Sequence, residues 1–270
     1  MNKDRGVEIV KNKQSLNMEK GQGELSDFGF KKVPTEEKAR LVSGHFSSIA
    51  EKYDFSNTVL SFGMHHLWKA TAVRMMGLSG GERVLDLCGG TGDLSILAAR
   101  QIGAEGRVIL CDINWEMVET GKPKIARSGF TEQIRYVQGD AENLSFPDCS
   151  FDAAMVGFGI RNVTNIRRGL EEMHRVTKPG GVLMCLEFSR PMTPWFRFLY
   201  DFYSFTMMPF LGKVLTGSSQ AYSYLPESIR LFPLQEELKK TLEDIGYEQV
   251  HYRNLTNGIA VVHWGKKRFI

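Results

Sequence analysis

An α/β fold is predicted for this 270-residue chain: a Rossmann-like, mostly parallel seven-stranded sheet with helices on both faces and an aromatic helical lid. Three observations predict it. Residues 83–93, Arg-Val-Leu-Asp-Leu-Cys-Gly-Gly-Thr-Gly-Asp, read as a buried strand, a glycine loop and the start of a helix. That unit forms the ligand-binding corner of an open parallel sheet. From Arg83 onward strand-like and helical runs alternate, which implies right-handed crossovers. Lys178-Pro179-Gly180-Gly181 ends one helix and launches a strand.

Residues 1–34 are polar, with scattered Lys and Glu and little apolar periodicity, and are expected to form a disordered extension. Residues 35–270 then make one domain. After Pro34 the pattern turns helical, with Val42, Phe46 and Ile49 at helical spacing. Strands are expected at 83–88, 107–113, 134–139, 152–158 and 182–188, with helices near 93–102, 115–127 and 165–177. A helix at 233–245 precedes two strands, near 247–254 and 258–264. The short Thr-Asn-Gly turn between them predicts an antiparallel hairpin. Residues 190–231 break the alternation and carry ten of the chain's aromatics, with Trp195, Phe198, Phe202 and Phe205 on one helical face. They read as a lid that packs on the domain, lines a pocket for a bulky apolar substrate or rests on a membrane surface.

Composition bounds the rest. An apolar content of 42% and a charged content of 24% are those of an ordinary globular protein. A net charge of +3 gives no argument for a nucleic-acid partner. Cys88, Cys111, Cys149 and Cys185 lack metal-ligand spacing, so free thiols in a reducing cytoplasm and no bound metal are expected. The N-terminus lacks a secretory apolar region. No uninterrupted apolar window approaches the roughly 18 residues needed to span a bilayer.

The acids select the ligand. A dinucleotide's pyrophosphate wants neutral or positive surroundings at the helix N-terminus. Here Asp86 closes the strand, Asp93 sits in the first helical turn, and the dinucleotide fingerprint fails at Ser95. A cofactor carrying an ammonium and a sulfonium, S-adenosyl-L-methionine, fits better. Gly89, Gly90 and Gly92 allow close approach of its methionine part, and Thr91 offers a hydroxyl. Asp112 ends the second strand about twenty residues past the loop, placed to take both ribose hydroxyls. Asp140 is placed to accept from the adenine amine, Ala141 to pack on the ring, and Gly157 to leave room at the fourth strand's end.

Tyr53-Asp54-Phe55-Ser56-Asn57, followed by Leu60-Ser61, His65 and Trp68, resembles one signature of the ubiquinone/menaquinone biosynthesis C-methyltransferases. Arg175 to Gly181, continuing to Glu187-Phe188-Ser189, resembles the second. Phe158 to Val163, Tyr224 to Ile229 and Asn254 to Gly258 are also similar to that family. Ser56, Thr177 and Cys88 depart from its usual residues without removing a polar group that the chemistry needs.

The resemblance runs from about residue 35 to the C-terminus. It implies a class I S-adenosylmethionine-dependent methyltransferase that methylates a ring carbon of a prenylated hydroquinone, demethylmenaquinol or a benzoquinol. By family analogy Thr91, Asp112, Asp140, Ala141 and Gly157 carry the cofactor contacts. Attack by a ring carbon needs a phenolate-like ring held in line with the S–CH3 bond, and a route for the phenolic proton. Arg161 and Asn162 follow the fourth strand at the ligand edge, where Arg161 is expected to stabilise an oxyanion. Tyr53 is a cofactor or substrate contact, and His65 a candidate base. The expected setting is peripheral, on the inner face of the cytoplasmic membrane, as a homodimer or within a quinone-biosynthesis assembly. A same-fold O- or N-methyltransferase of a soluble metabolite and a non-catalytic scaffold are the alternatives.

Overall fold

The structure, a computed structural model, describes residues 25–216 and 219–269. Leu25–Phe28 (β1) and Lys31–Pro34 (β2) pair as an antiparallel hairpin. The expected disorder therefore fails for residues 25–34, and tertiary contacts explain why. Phe28 stacks on Tyr224 with ring centroids 4.6 Å apart, and the Phe30 N–H donates to Glu227 Oε2 at 2.9 Å. These partners lie far along the chain, where no local pattern signals them. The rest of the expected extension, residues 1–24, lies outside the described residues.

Three helices follow: Thr35–Ser47 (α1), Tyr53–Leu60 (α2) and Met64–Met75 (α3). Then come Arg83–Leu87 (β3), Asp93–Ile102 (α4), Arg107–Asp112 (β4), Trp115–Ser128 (α5), Ile134–Gln138 (β5), Phe151–Gly157 (β6), Ile166–Val176 (α6) and Thr177–Phe188 (β7). Asn114 and Asn165 cap α5 and α6, each side chain accepting from the third N–H of its helix. At the other end of α6, the Lys267 ammonium donates to the carbonyls of His174 and Thr177. A buried cation on carbonyls at a helix C-terminus satisfies both.

The sheet runs β5-β4-β3-β6-β7-β9-β8. Strands β3 to β7 are parallel, while β9 (Ala260–Lys267) is antiparallel to both β7 and β8 (Tyr247–Leu255). The hairpin expected from the Thr-Asn-Gly turn is present, and the sheet has the seven strands expected. Strand residues alternate between two cores. Val84, Leu110 and Met155 pack against α3, α4 and α5, while Leu85, Ile109 and Val156 pack against α6 and Gln235–Ile245 (α10). Burial on both faces explains why these strands read as unbroken apolar runs.

Strands are added outward from β3 to β5, and then on the other side from β6 to β7. The crevice at the carboxyl ends of β3 and β6 is therefore the topological switch point where ligands bind in such sheets. The chain is unusual there: Cys88 and Phe158, just past those strands, have φ of 53° and 59°. Left-handed backbone at non-glycine residues concentrates at functional sites.

The insertion after β7 contains Pro194–Phe202 (α7), a π turn at Tyr203–Met207, Met208–Thr216 (α8) and Ser219–Leu231 (α9). The stripe of Trp195, Phe198, Phe202 and Phe205 faces solvent, with Trp195 and Phe198 66% and 73% exposed. The inner face of the lid is a different set, Phe196, Tyr200 and Tyr203. Among the described residues no helix is long and apolar enough to cross a membrane.

Candidate active site

Two cavities meet at the switch point. The first, of about 330 Å³, is walled by α1 (Thr35, Ala39, Val42, Ser43) and by the ends of β3, β4, β5 and β6. Cys88, Gly90, Asp112, Asn114, Met117, Asp140, Ala141, Gly157 and Asn162 line it. Asp112 is held by backbone at both oxygens. Its Oδ1 accepts the Asn114 N–H and its Oδ2 the Gly90 N–H, each at 2.8 Å. Each carboxylate oxygen keeps a lone pair, enough for two vicinal hydroxyls. Burial raises the Asp112 pKa, and the backbone N–H bonds oppose that rise. Asp140 accepts the Glu142 N–H at one oxygen, beside the buried Ala141 methyl.

The other loop residues sit beneath this cavity. Gly92 has φ +84°, and a Cβ there would meet Ile125 Cδ1 at 2.7 Å, so the residue serves both the turn and the packing of α5. Gly89 and Thr91 likewise lie behind the cavity wall, next to Gly90, which is on it. Thr91 donates to Asp54 Oδ1 at 2.7 Å. Asp86 is wholly buried under the loop, where Ser95 Oγ donates to its Oδ2 at 2.6 Å. Burial pushes its pKa up to about 7, against the Ser95 hydroxyl. It is not part of the wall.

The acidic crevice inferred from Asp86 and Asp93 is therefore corrected. Lys69 donates to Asp93 Oδ2 at 2.6 Å, and Lys124 bridges the other Asp93 oxygen to Asp54 Oδ2 and Thr91 Oγ1. Burial would raise the Asp93 pKa, but the two ammonium groups outweigh it and hold the carboxyl well below its usual range. Two lysines balance two aspartates, and the acids on the cavity wall are instead Asp112 and Asp140, with Glu36 and Glu142. Neither lysine carries a local signal in the sequence. His65, His66 and Asp93 bring metal-ligand atoms within 4.8 Å of one another, but ammonium groups occupy both Asp93 oxygens, which unsuits the group to a cation.

The second cavity, of about 390 Å³, is apolar and aromatic. Trp68, Phe188, Phe196, Tyr200, Tyr203, Met208, Tyr222 and Ile229 line it, together with His45, His65, Lys69, Arg161 and Tyr224. Phe46, Tyr53 and Phe158 belong to both cavities and form the wall between them. Tyr53 thus borders both cavities. Of these, Phe46, Phe158 and Tyr224 were missed as site residues. Each looks like ordinary core in the sequence, and only tertiary placement distinguishes it.

Arg161 and Asn162 are brought to this junction but point to different cavities. Arg161 is 8% exposed, its Nη1 3.0 Å from Glu187 Oε2 and its Nε 3.4 Å from Ser228 Oγ. Nη1 also donates to the Phe158 carbonyl. Its charge is balanced by Glu187, so it is no lone cation, and Nη2 is the guanidinium corner left without a protein acceptor among the described residues. Asn162 Oδ1 accepts from the Tyr224 hydroxyl at 3.1 Å.

The surroundings of His65, expected as a candidate base, disfavour its protonated form. Burial, then the charge of Lys69, push its pKa down to about 4. Its Nε2 lies 3.1 Å from Thr58 Oγ1, which itself donates to the Asp54 carbonyl, so the imidazole proton sits on Nε2. Nδ1 is buried without a partner.

A switch-point cavity with an acid at the end of β4, beside a second, apolar cavity, suits a nucleoside cofactor and a separate acceptor. Its relatives in sequence and structure make the protein an S-adenosylmethionine-dependent methyltransferase. Solved structures share the fold. A methyltransferase of this kind from Aquifex aeolicus is 20% identical over 73% of this chain and 88% of its own, with a TM-score of 0.53. Phosphoethanolamine N-methyltransferase 2 of Haemonchus contortus, solved with S-adenosyl-L-methionine, is 14% identical over 74% of this chain and 52% of its own, with a TM-score of 0.55.

The sequence model of the ubiE/COQ5 methyltransferase family matches residues 32–267, and the chain belongs to that family. It is 47% identical to the ubiquinone/menaquinone biosynthesis C-methyltransferase of Francisella philomiragia, over 91% of this chain and 98% of that one. It is 45% identical to the enzyme of the same name from a Marinomonas species, over 93% and 100%. S-Adenosylmethionine is accordingly its cofactor.

Proposed function

We propose that this protein transfers a methyl group to a ring carbon of a prenylated hydroquinone in quinone biosynthesis, with demethylmenaquinol as the acceptor. The observation that carries this reading is the pair of cavities divided by Phe46, Tyr53 and Phe158, one acidic at Asp112 and one apolar. The names of the relatives support the pathway.

The residues present suit the cofactor. Asp112 would hold the ribose hydroxyls, Ala141 and Asp140 the adenine, and Gly90 and Gly157 leave room for close approach. When bound, S-adenosylmethionine supplies an electrophilic methyl that a ring carbon takes with its own electron pair, while the sulfur keeps the pair of the broken bond. The chain's part is orientation and field. The aromatic wall holds the quinol ring flat and excludes bulk water. The free Nη2 corner of Arg161 donates to the phenolic oxygen and favours its anion. Its Glu187 partner fixes the guanidinium in that pose. Among the described residues no carboxylate lines the apolar cavity. The phenolic proton passes to a local water as the ring becomes the nucleophile, and the hydrogen on the methylated carbon then moves through water to the oxygen and restores the hydroxyl.

The prenyl tail leaves past the lid, whose outward aromatic stripe rests on a lipid surface. A labelled-methyl assay on extracted lipid quinones tests the reading. Label in the lipid fraction is expected. Label in a soluble product, or none at all, overturns it.

A further inference from the structure

Arg161 and Asn162 lie on a short 3₁₀ turn, Ile160–Asn162, between the cavities, and three elements besides Glu187 of β7 hold that turn. Lys38 of α1 donates to the Val163 carbonyl at 3.0 Å. Ser228 and Tyr224 of α9 contact Arg161 Nε and Asn162 Oδ1. The N-terminal hairpin adds a third hold, because Phe28 stacks on the Tyr224 ring and Glu227, on the same helix, accepts from Phe30. Tyr224 alone touches all of this: its ring lines the apolar cavity and carries the hairpin, and its hydroxyl reaches a residue of the cofactor cavity.

The direction of that hydrogen bond matters. A carboxamide oxygen can only accept, so the Tyr224 O–H donates to Asn162 Oδ1 and turns Nδ2 away as the donor left for a ligand. Burial raises the Tyr224 pKa to about 12, so the hydroxyl keeps its proton throughout the neutral range.

We propose that Tyr224 is a positioning residue of the methyl transfer: its hydroxyl fixes the Asn162 carboxamide with the N–H donor facing the cofactor, and so ties lid closure to cofactor binding. With the lid lifted, Asn162 loses its fixed orientation, and the cofactor is held less tightly. The proposal rests on the assignment of the two cavities to cofactor and quinol. Its test uses S-adenosylhomocysteine alone, so it stands or falls separately from the identity of the acceptor.

The test is a double-mutant cycle read by titration calorimetry with S-adenosylhomocysteine on wild type, Tyr224→Phe, Asn162→Ala and the double variant. Phe keeps the ring, the stack on Phe28 and the cavity wall, and loses only the donor. Tyr224→Phe is expected to weaken binding roughly 3- to 10-fold, the range for one neutral hydrogen bond. In the Asn162→Ala background it is expected to have no further effect. Equal losses in both backgrounds, or no loss in either, overturn the proposal. Amide hydrogen exchange of the wild-type protein checks the same link without a variant. S-Adenosylhomocysteine is expected to slow exchange in 160–163 and 222–228 together, and protection of 160–163 alone overturns it.

Discussion

Glu187 and Arg161 form a buried ion pair at the edge of the apolar cavity, Oε2 to Nη1 3.0 Å, with Glu187 also accepting the backbone N–H groups of Arg161 and Phe188. Burial pushes the Glu187 pKa up, and Arg161 with those N–H groups opposes the rise. Removing the carboxylate leaves a guanidinium buried without a counter-charge. Glu187→Ala is expected to lower stability by about 3–5 kcal/mol, the cost of an unpaired buried ion. Urea denaturation measures it, and an unchanged midpoint would show that the pair is not needed.

Asp112→Ala removes the acid at the end of β4 and the acceptor of the Asn114 and Gly90 N–H groups. Affinity for S-adenosylhomocysteine is expected to fall ten- to a hundredfold, about 1.5–3 kcal/mol for a lost charged hydrogen bond. Unchanged affinity by calorimetry would remove the ribose from this position.

Where the sequence was informative, physics was local. The strand–glycine–helix corner, the acid at the end of β4 and the Thr-Asn-Gly hairpin are short-range patterns, and each is in its expected place. Paired charges were not legible. Asp93 looked like a ligand group until Lys69 and Lys124, from two other helices, were seen to hold it. The hairpin at 25–34 was unreadable for a similar reason, since its order comes from Tyr224 and Glu227. The lid's aromatic stripe was found, but which face turned inward depends on packing that periodicity alone does not encode.

Stability is expected to fall as pH drops from 6.5 towards 4. Burial lowers His65 and His263 to about 4, so in that window the unfolded chain binds protons that the folded one does not. Replacing both by Gln should flatten this slope. A thermal-melting series across pH 4–8 checks it. Retention of the full slope in the double variant would assign it elsewhere.

Asp86 has the opposite sign. Its folded pKa of about 7 lies above its unfolded value of 3.8, so the folded state holds the extra proton, and stability is lost as pH rises through that interval. Asp86→Asn cannot ionise. Relative to wild type, its stability should improve between pH 4 and 8, and a pH-independent difference would count against a titrating Asp86.

Trp195 and Phe198 stand outward on α7. Flotation with anionic liposomes is expected to carry the wild-type protein, and Trp195→Ser with Phe198→Ser to abolish it while the melting temperature holds. Equal flotation of both proteins would remove the lid from the lipid surface.

The partition of Phe46, Tyr53 and Phe158 divides the crevice into two chambers, one acidic and one apolar. A water-soluble nucleoside and an oily guest would then each meet a chamber of its own polarity. Through Tyr224 on the lid, a change of guest in the apolar chamber would still be felt at Asn162 in the other.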